Sequence, residues 1–300
     1  VSNRRFWGAD IGGTTTVVGS VGRDSPFRIE AVLSTLPLRG ARRLLDELAG
    51  TILNADPEPL AVGVGIAGLV DRRRGILSFS PNLPGWAPLD VASEIAGRTG
   101  AGAVVDNDCN SFAYGAVRTG LIPSDGLRVF VTLGTGIGGT ILDRGKVIYG
   151  TGFAGEFGHM AVESSGQACP CGSTGCWERY AGRDALVRYY LGREPSAGEE
   201  TVPDPREIAE LARNGDSAAL KAFDVYGAWV GRGLASLANC LSPDGFYLAG
   251  GLANASDLFM QPACAEFTGR CRHPWCVSTV PDSSEAGALG AALMARDSRT

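Results

Sequence analysis

The sequence predicts an α/β protein of two lobes, on three observations. A chain of 300 residues with 44% hydrophobic content can fill a large core, and at that length chains usually divide. Short apolar strand-like runs are interspersed with segments of helical spacing. A strand, a glycine turn and a second strand occur together twice, at Gly12–Gly13 and again about 120 residues later at Gly134–Gly136.

The first of these segments, FWGADIGGTTTVVGSVG, alternates apolar and small residues on both sides of its turn, which leaves Asp10 at the end of a strand. Amides of a loop made by Gly12, Gly13, Thr14 and Thr15 can approach phosphate oxygens, and the Asp10 carboxylate can hold Mg²⁺ directly or through water. An ordinary hairpin turn fits the same residues. Residues 41–55 set Leu44, Leu45, Leu48 and Ile52 at helical spacing, so these four are expected in the core. The run LAVGVGIAG follows as a buried strand and leads through Gly68 to a short strand from Gly75. Residues 80–86, SPNLPGW, are loop-like, with Asn82 reading as a turn residue and Trp86 as a packing anchor.

Residues 102–106 form an apolar strand that ends in Asp106-Asn107-Asp108, and Cys109 to Val117 reads as a helix. Asp108 therefore stands at a strand-to-helix junction. That position suits an N-cap, and it is also where α/β folds place catalytic groups, at the carboxyl end of a buried strand. Next, Gly134, Gly136 and Gly139 satisfy Gly-x-Gly-x-x-Gly, but a dinucleotide site needs a helix after the glycines, and residues 140–142 and 146–148 read as strands. The Gly145-Lys146 pair continues with valine, which excludes a Walker A loop. What remains is a second strand–turn–strand phosphate clamp, containing Gly134, Thr135 and Gly136. Residues 206–213 and 216–240 read as helices, residues 245–251 as a strand entering a Gly250-Gly251 turn, and residues 285–296 as a small, alanine-rich helix. Residues 193–205 are polar and contain proline, as in a surface excursion.

The richest chemistry lies in GEFGHMAVESSGQACPCGSTGCWE, from Gly155 to Glu178. His159, Cys169, Cys171 and Cys176 form a Cys₃His set, the closed tetrahedral arrangement of a structural Zn²⁺. Gly172 and Gly175 permit the sharp turns that bring Cys171 and Cys176 back onto one ion. A loop of free thiols is the alternative. Glu156 and Glu178 bracket the ligands, so the metal would also fix two acids.

The formal charge of −5 and pI near 5.2 argue against a nucleic-acid surface. The one basic run, Arg72 to Arg74, reads as a solvated turn. No apolar run is long enough to span a bilayer and no signal-peptide core precedes Asp10, so the expected location is cytoplasmic, with no membrane partner. Irregularly spaced thiols outside the zinc signature fit a reducing compartment. Cys264, Cys271, His273 and Cys276 could imitate a second metal site, although their irregular spacing argues against one.

The Gly155–Glu178 stretch resembles the zinc signature of the ROK family (repressors, open reading frames and sugar kinases), Gly-Glu-x-Gly-His followed by Cys-x-Cys-Gly-x-x-Gly-Cys-x-Glu, at every fixed position. The likeness runs in order from Gly8 to the last helix. It implies a two-lobe actin-like ATPase (ribonuclease H-like) fold with an interlobe cleft and a structural zinc site. Residues 1–108 plus 285–300 would form the small lobe and residues 109–284 the large one. It also implies transfer of phosphate from ATP·Mg²⁺ to a hexose hydroxyl, most simply the 6-hydroxyl of glucose. Asp108 would be the catalytic base. Gly68, Asn82, Asn107, Asp108, Glu156, His159 and Glu178 would contact the sugar. Asp10, Gly12, Gly13, Thr14, Thr15, Gly134, Thr135 and Gly136 would serve ATP and Mg²⁺, and Gly250 and Gly251 would face the adenosine, where a plain turn reads equally well.

Two positions depart from the family's pattern. Thr15 stands where lysine is common, and Ala116 where many relatives carry glutamate, so no role is transferred to Ala116. An N-acetylhexosamine, fructose, mannose or a cyclitol are the rival acceptors. The family's repressors carry a helix-turn-helix domain ahead of the first phosphate loop, and nine residues precede Asp10 here, so the expectation is a kinase. A binding module without catalysis is disfavoured by the presence of Asp108. The resemblance implies a homodimer or homotetramer.

Overall fold

The computed structural model describes residues 4–22, 25–36, 38, 40–194, 202–281 and 284–299. The chain gathers into two units, one of Val1–Ser124, Gly145–Ala154 and Ser283–Thr300, the other of Asp125–Arg144 and Gly155–Asp282.

In the first unit β1 (Phe6–Ile11) and β2 (Thr15–Val21) make the expected hairpin, and β3 (Arg28–Ser34) adds to its outer edge. Helix α1 (Ala41–Ala55) buries Leu44, Leu45, Leu48 and Ile52 as their spacing requires. Strand β4 (Ala61–Ile66) is buried throughout and runs parallel to β1. Strands β5 (Leu69–Asp71), β6 (Ile76–Phe79) and β7 (Leu89–Asp90) form a small antiparallel sheet. Helix α2 (Val91–Thr99) is capped by Asp90, whose side chain accepts from the Ser93 amide, and ends at Gly100 with φ 68°. Strand β8 (Gly102–Asn107) completes the sheet order β3-β2-β1-β4-β8 and passes directly into α3 (Asp108–Arg118).

The second unit begins with the hairpin of β9 (Leu127–Leu133) and β10 (Ile137–Asp143), after which the short β11 (Lys146–Val147) returns to the first unit's residues. Helices α4 (Glu178–Ala181), α5 (Arg183–Leu191), α6 (Pro205–Arg213) and α7 (Ser217–Leu241) follow the cysteine-rich stretch. Asp204 and Glu207 form a reciprocal capping box at the start of α6. Strand β12 (Gly245–Ala249) lies parallel to β9, α8 (Ser256–Arg270) packs on α7, and β13 (Val277–Thr279) runs parallel to β12. Residues 195–201 of the expected excursion lie outside the described residues.

Helix α9 (Ser284–Asp297) explains where the first unit ends. It lies so close to the sheet that a Cβ at Gly8 would sit 1.9 Å from the Ala288 carbonyl, and one at Gly63 1.8 Å from that of Ala291. It holds α3 equally closely, since a Cβ at Gly115 would meet the Ala286 carbonyl at 2.2 Å and one at Gly290 the Ser111 carbonyl at 1.7 Å. Backbone-to-backbone packing of this kind draws α3 into the first unit, which corrects the expected boundary after residue 108 to one after Ser124. Among the described residues no helix is long and apolar enough to cross a membrane.

Candidate active site and metal centre

Parallel pairing aligns the functional ends of three strands in the first unit. Asp10 is in register with Gly65, and Gly65 with Asp106, so Asp10 and the Asn107-Asp108 pair stand at the carboxyl ends of their parallel strands. Glycine makes room for the Asp10 carboxylate, because a Cβ at Gly287 would lie 2.3 Å from its Oδ2. The turn after β1 is tied by the Gly12 amide donating to the Thr15 carbonyl at 3.0 Å, and the Thr35 amide donates to the Thr14 carbonyl at 2.9 Å. Asn82 belongs beside this turn: a Cβ on Gly13 would be 3.4 Å from that of Asn82. The loop carrying Asn82 is fastened by the Ser80 hydroxyl, which donates to the Ala67 carbonyl and accepts from the Leu83 amide, and by Trp86, which is buried as an anchor should be.

The N-cap question at the β8–α3 junction resolves onto Asn107. Its Oδ1 accepts from the amides of Cys109 at 2.8 Å and Asn110 at 3.4 Å, while its Nδ2 donates to the Gly68 carbonyl at 3.0 Å. Gly68 has φ 135°, and a Cβ there would strike the Phe79 carbonyl at 2.4 Å, so this contact with Asn107 requires glycine. Asp108 is the first helical residue, and the capping role proposed for it passes to its neighbour. Loss of solvation pushes its carboxyl above the ordinary carboxylate range, and hydrogen bonds from the Cys109 amide oppose this only in part. A carboxylate raised in this way is the stronger base.

In the second unit the turn between β9 and β10 is built around Glu178. The Ile137 amide donates to Glu178 Oε2 at 3.1 Å, and a Cβ on Gly136 would lie 2.0 Å from the same oxygen. The Gly134 amide donates to the Gly136 carbonyl, and the Gly134 carbonyl accepts from the Arg183 amide, which ties the turn to the start of α5. Thr135 lies between them, with its carbonyl 3.0 Å from where a Cβ on Gly182 would be.

The position of Glu178 traces back to the Cys₃His set. Ligand atoms of His159, Cys169, Cys171 and Cys176 all lie within 4.8 Å of one another, and the Sγ atoms of Cys171 and Cys176 are 3.6 Å apart. Thiolates about 2.3 Å from a shared zinc would sit about 3.8 Å apart, so the set fits that ion. Gly172 (φ 92°) and Gly175 (φ 72°) make the turns, and a Cβ on Gly175 would fall 1.8 Å from the Glu163 carbonyl. Burial first, then the neighbouring sulfurs of Cys169 and Cys171, push the Cys176 thiol up to about 12, so a bound cation would have to displace its proton. Next to Cys176, the fully buried Trp177 donates through Nε1 to the Trp229 carbonyl and presses on Gly233, and Glu178 then opens α4. The other side of the set presents His159 itself. Its Nδ1 lies 4.0 Å from Cys169 Sγ, while Nε2 lies 3.9 Å from Glu156 Oε2, with both side chains open to solvent. One ring nitrogen therefore faces the metal set and the other a carboxylate.

Gly250 turns with φ 92° against the Leu133 carbonyl, where a Cβ would come within 2.5 Å. The exposed Gly251 beside it lines a cavity of about 230 Å³ with Ala209, Arg213, Leu252 and Ala255. Cys264, Cys271, His273 and Cys276 do not converge: the Cys271 thiol donates to the Phe267 carbonyl and His273 Nδ1 is 3.9 Å from Cys276 Sγ. Among the described residues the His159 set is the one group of three or more ligating side chains brought together.

Sequence reasoning missed a network behind Asp108. Arg72 was expected in a solvated turn, yet its Nε donates to Asp106 at 3.0 Å, and its guanidinium stacks 4.6 Å from the centre of the Tyr149 ring. The correction has a physical cause: Asp106 is buried and needs donors, and an arginine on the β5–β6 turn is within reach. Nothing in the residue pattern brings Tyr149 to this place.

A model of the ROK family matches residues 6–298. The chain is 34% identical to a glucokinase from Streptomyces coelicolor, over 97% of each chain. Among solved structures it is similar to a ROK family glucokinase from Streptomyces griseus in complex with glucose and AMPPNP, with TM-score 0.81 and 32% identity over 98% of this chain and 99% of that one. It is also similar to a ROK hexokinase from Thermus thermophilus, with TM-score 0.78 and 29% identity over 98% and 99% of the two chains. Motifs, fold and relatives agree from one end of the described chain to the other, and the chain belongs to the ROK family.

Proposed function

We propose that this protein transfers the terminal phosphoryl group of ATP to the 6-hydroxyl of glucose. The observation that carries the reading is Asp108: a carboxylate at the carboxyl end of β8, relieved of capping by Asn107 and held above its ordinary pKa by burial. The whole-length likeness to glucokinases, one of them seen with glucose and an ATP analogue, supports the same reaction.

Phosphoryl transfer leaves little covalent work to the protein, so alignment and charge neutralisation dominate. Asp108 would accept the hydroxyl proton as the sugar oxygen attacks phosphorus, which raises the nucleophile's charge when the bond forms. Asp10 would hold Mg²⁺, for which its hard oxygen donors and the space left by Gly287 are suited. That ion would neutralise charge on the phosphates. Amides of the Gly12-Gly13-Thr14-Thr15 turn and of the Gly134-Thr135-Gly136 turn would cradle phosphate oxygens. The adenosine would rest against Gly250-Gly251, in the cavity whose Ala209, Leu252 and Ala255 offer apolar contact. On the first unit, Gly68, Asn82 and Asn107 would order and read the sugar hydroxyls. On the second, Glu156, His159 and Glu178 would do so, with zinc on His159, Cys169, Cys171 and Cys176 serving structure. Such a thiolate site suits the reducing cytoplasm.

Formation of ADP and sugar phosphate by the purified protein, measured with glucose, mannose, fructose, N-acetylglucosamine, N-acetylmannosamine and a cyclitol at equal concentrations, tests the assignment. Glucose should give the highest kcat/KM, because a site built to bond particular hydroxyls rejects analogues that leave its polar groups unpaired. A higher value for any other acceptor would overturn glucose and keep the kinase.

A further inference from the structure

We propose that Asp106 is a positioning residue for Asp108, acting through a carboxylate whose bonding capacity is filled by donors from three separate segments. This rests on the reading of Asp108 as the base.

Asp106 is 2% exposed. Its Oδ1 accepts from the Asn107 amide at 2.8 Å and from Asn110 Nδ2 at 2.9 Å. Its Oδ2 accepts from the Tyr149 hydroxyl at 2.7 Å and from Arg72 Nε at 3.0 Å. A carboxylate offers about four acceptor sites, and four donors occupy them. Nothing is left for substrate, so Asp106 does not bind sugar or phosphate. A buried carboxylate is expensive unless every site is satisfied, and satisfied networks hold one geometry.

The identity of the donors gives the network its purpose. Asn107 and Asn110 flank Asp108, one before the first helical residue and one on the first turn of α3. Arg72 comes from the turn after β5, and Tyr149 from the 145–154 excursion that returns to the first unit. Arg72 also stacks on the Tyr149 ring, so these two segments fix each other as well as the carboxylate. The β8–α3 junction is thereby held from behind by two elements that the strand ladder does not reach. Asp108, whose Oδ1 accepts from the Cys109 amide at 3.0 Å, takes its direction from that junction.

The test is steady-state kinetics on the full chain with Asp106→Asn, Asp108→Asn and the double variant, alongside thermal melting. The amide turns an acceptor into a donor that faces other donors, so the junction must shift. A displacement of about 1 Å costs roughly 10²-fold in rate, and Asp106→Asn should lower kcat by about 10- to 100-fold with the glucose KM held within about 3-fold. In the Asp108→Asn background the same substitution should remove little further turnover, because residues that act as one unit are not additive. Tyr149→Phe deletes a single donor and should lower kcat several-fold, which keeps the test open if Asp106→Asn melts too low to assay. An equal loss in both backgrounds, a loss confined to KM, or wild-type kcat in both Asp106→Asn and Tyr149→Phe would overturn the inference alone. Wild-type turnover in Asp108→Asn would remove the base assignment and this inference with it.

Discussion

At the first glycine hairpin the neighbouring carboxylate belongs to the strand itself, Asp10 near the end of β1, whereas at the second it is Glu178, delivered from far along the chain by the Cys₃His stretch and α4. The first arrangement is secured by the sheet. Register with Gly65 places Asp10, and glycines on β4 and α9 leave space around it. The second is secured by side chains and a loop: the Cys₃His set fixes Cys176, Trp177 locks into α7, and Glu178 then reaches the Ile137 amide. The glycines differ accordingly. A Cβ on Gly13 meets its neighbours at 3.4 Å, an ordinary contact, while a Cβ on Gly136 would lie 2.0 Å from Glu178 Oε2. Two similar backbone turns thus depend on different parts of the sequence, one on its own strand and the other on the Cys₃His stretch.

Between the two hairpins the largest effect should come from removing the zinc proposed for the Cys₃His set. Elemental analysis should find one zinc per chain, and Cys171→Ser or prolonged chelation should lower both the melting temperature and kcat/KM, the latter by about 10- to 100-fold. Metal-replete protein without zinc would end the proposal. A smaller and more local effect is expected at the glycines. Gly136→Ala should cost about 10-fold or more in kcat, since Glu178 must give way, while Gly13→Ala should stay within a few-fold. Equal effects would erase the contrast between the hairpins. The mildest perturbation is pH. A base works only when deprotonated, and burial raises the Asp108 pKa, so turnover should be full above that pKa and fall tenfold per unit below it. The acid limb should therefore lie above the ordinary carboxylate range, and a limb at the ordinary value would contradict the burial argument.

Most strands and the long helices were legible because apolar period and glycine turns mark them directly. Strand β4 is an unbroken buried run, and α1 buries the four residues its spacing selects. The Cys₃His cluster was legible for a related reason, since turns at Gly172 and Gly175 bring near neighbours in sequence together. Helix α2 went unread although Asp90 and Gly100 mark both its ends, because the loop chemistry before it drew the reading away. Other features depend on tertiary approach and leave no local trace. The Asp106 network joins side chains from three places in the chain, and α3 belongs to the first unit through the close approach of its Gly115 to Ala286 and of its Ser111 to Gly290, both on a helix near the opposite end of the chain. For Asp108 the residue type and junction were readable, but only the hydrogen bonds of Asn107 show which of the two neighbours caps the helix.

The central claim is that Asp108 is the base of a sugar kinase, and Asp108→Asn tests it most directly when turnover, glucose affinity and melting are measured on the same preparation. The amide keeps the shape and cannot accept the proton, so kcat should fall by about 10² to 10⁴ while glucose affinity stays within a few-fold. Stability carries an independent sign. With the folded pKa raised above the unfolded one, the ionised carboxyl disfavours folding at neutral pH, and that penalty fades as pH falls through the folded pKa. The variant should therefore melt no lower than the wild type at pH 7. Near-wild-type turnover together with a lowered melting temperature would contradict the account and return Asp108 to a structural role.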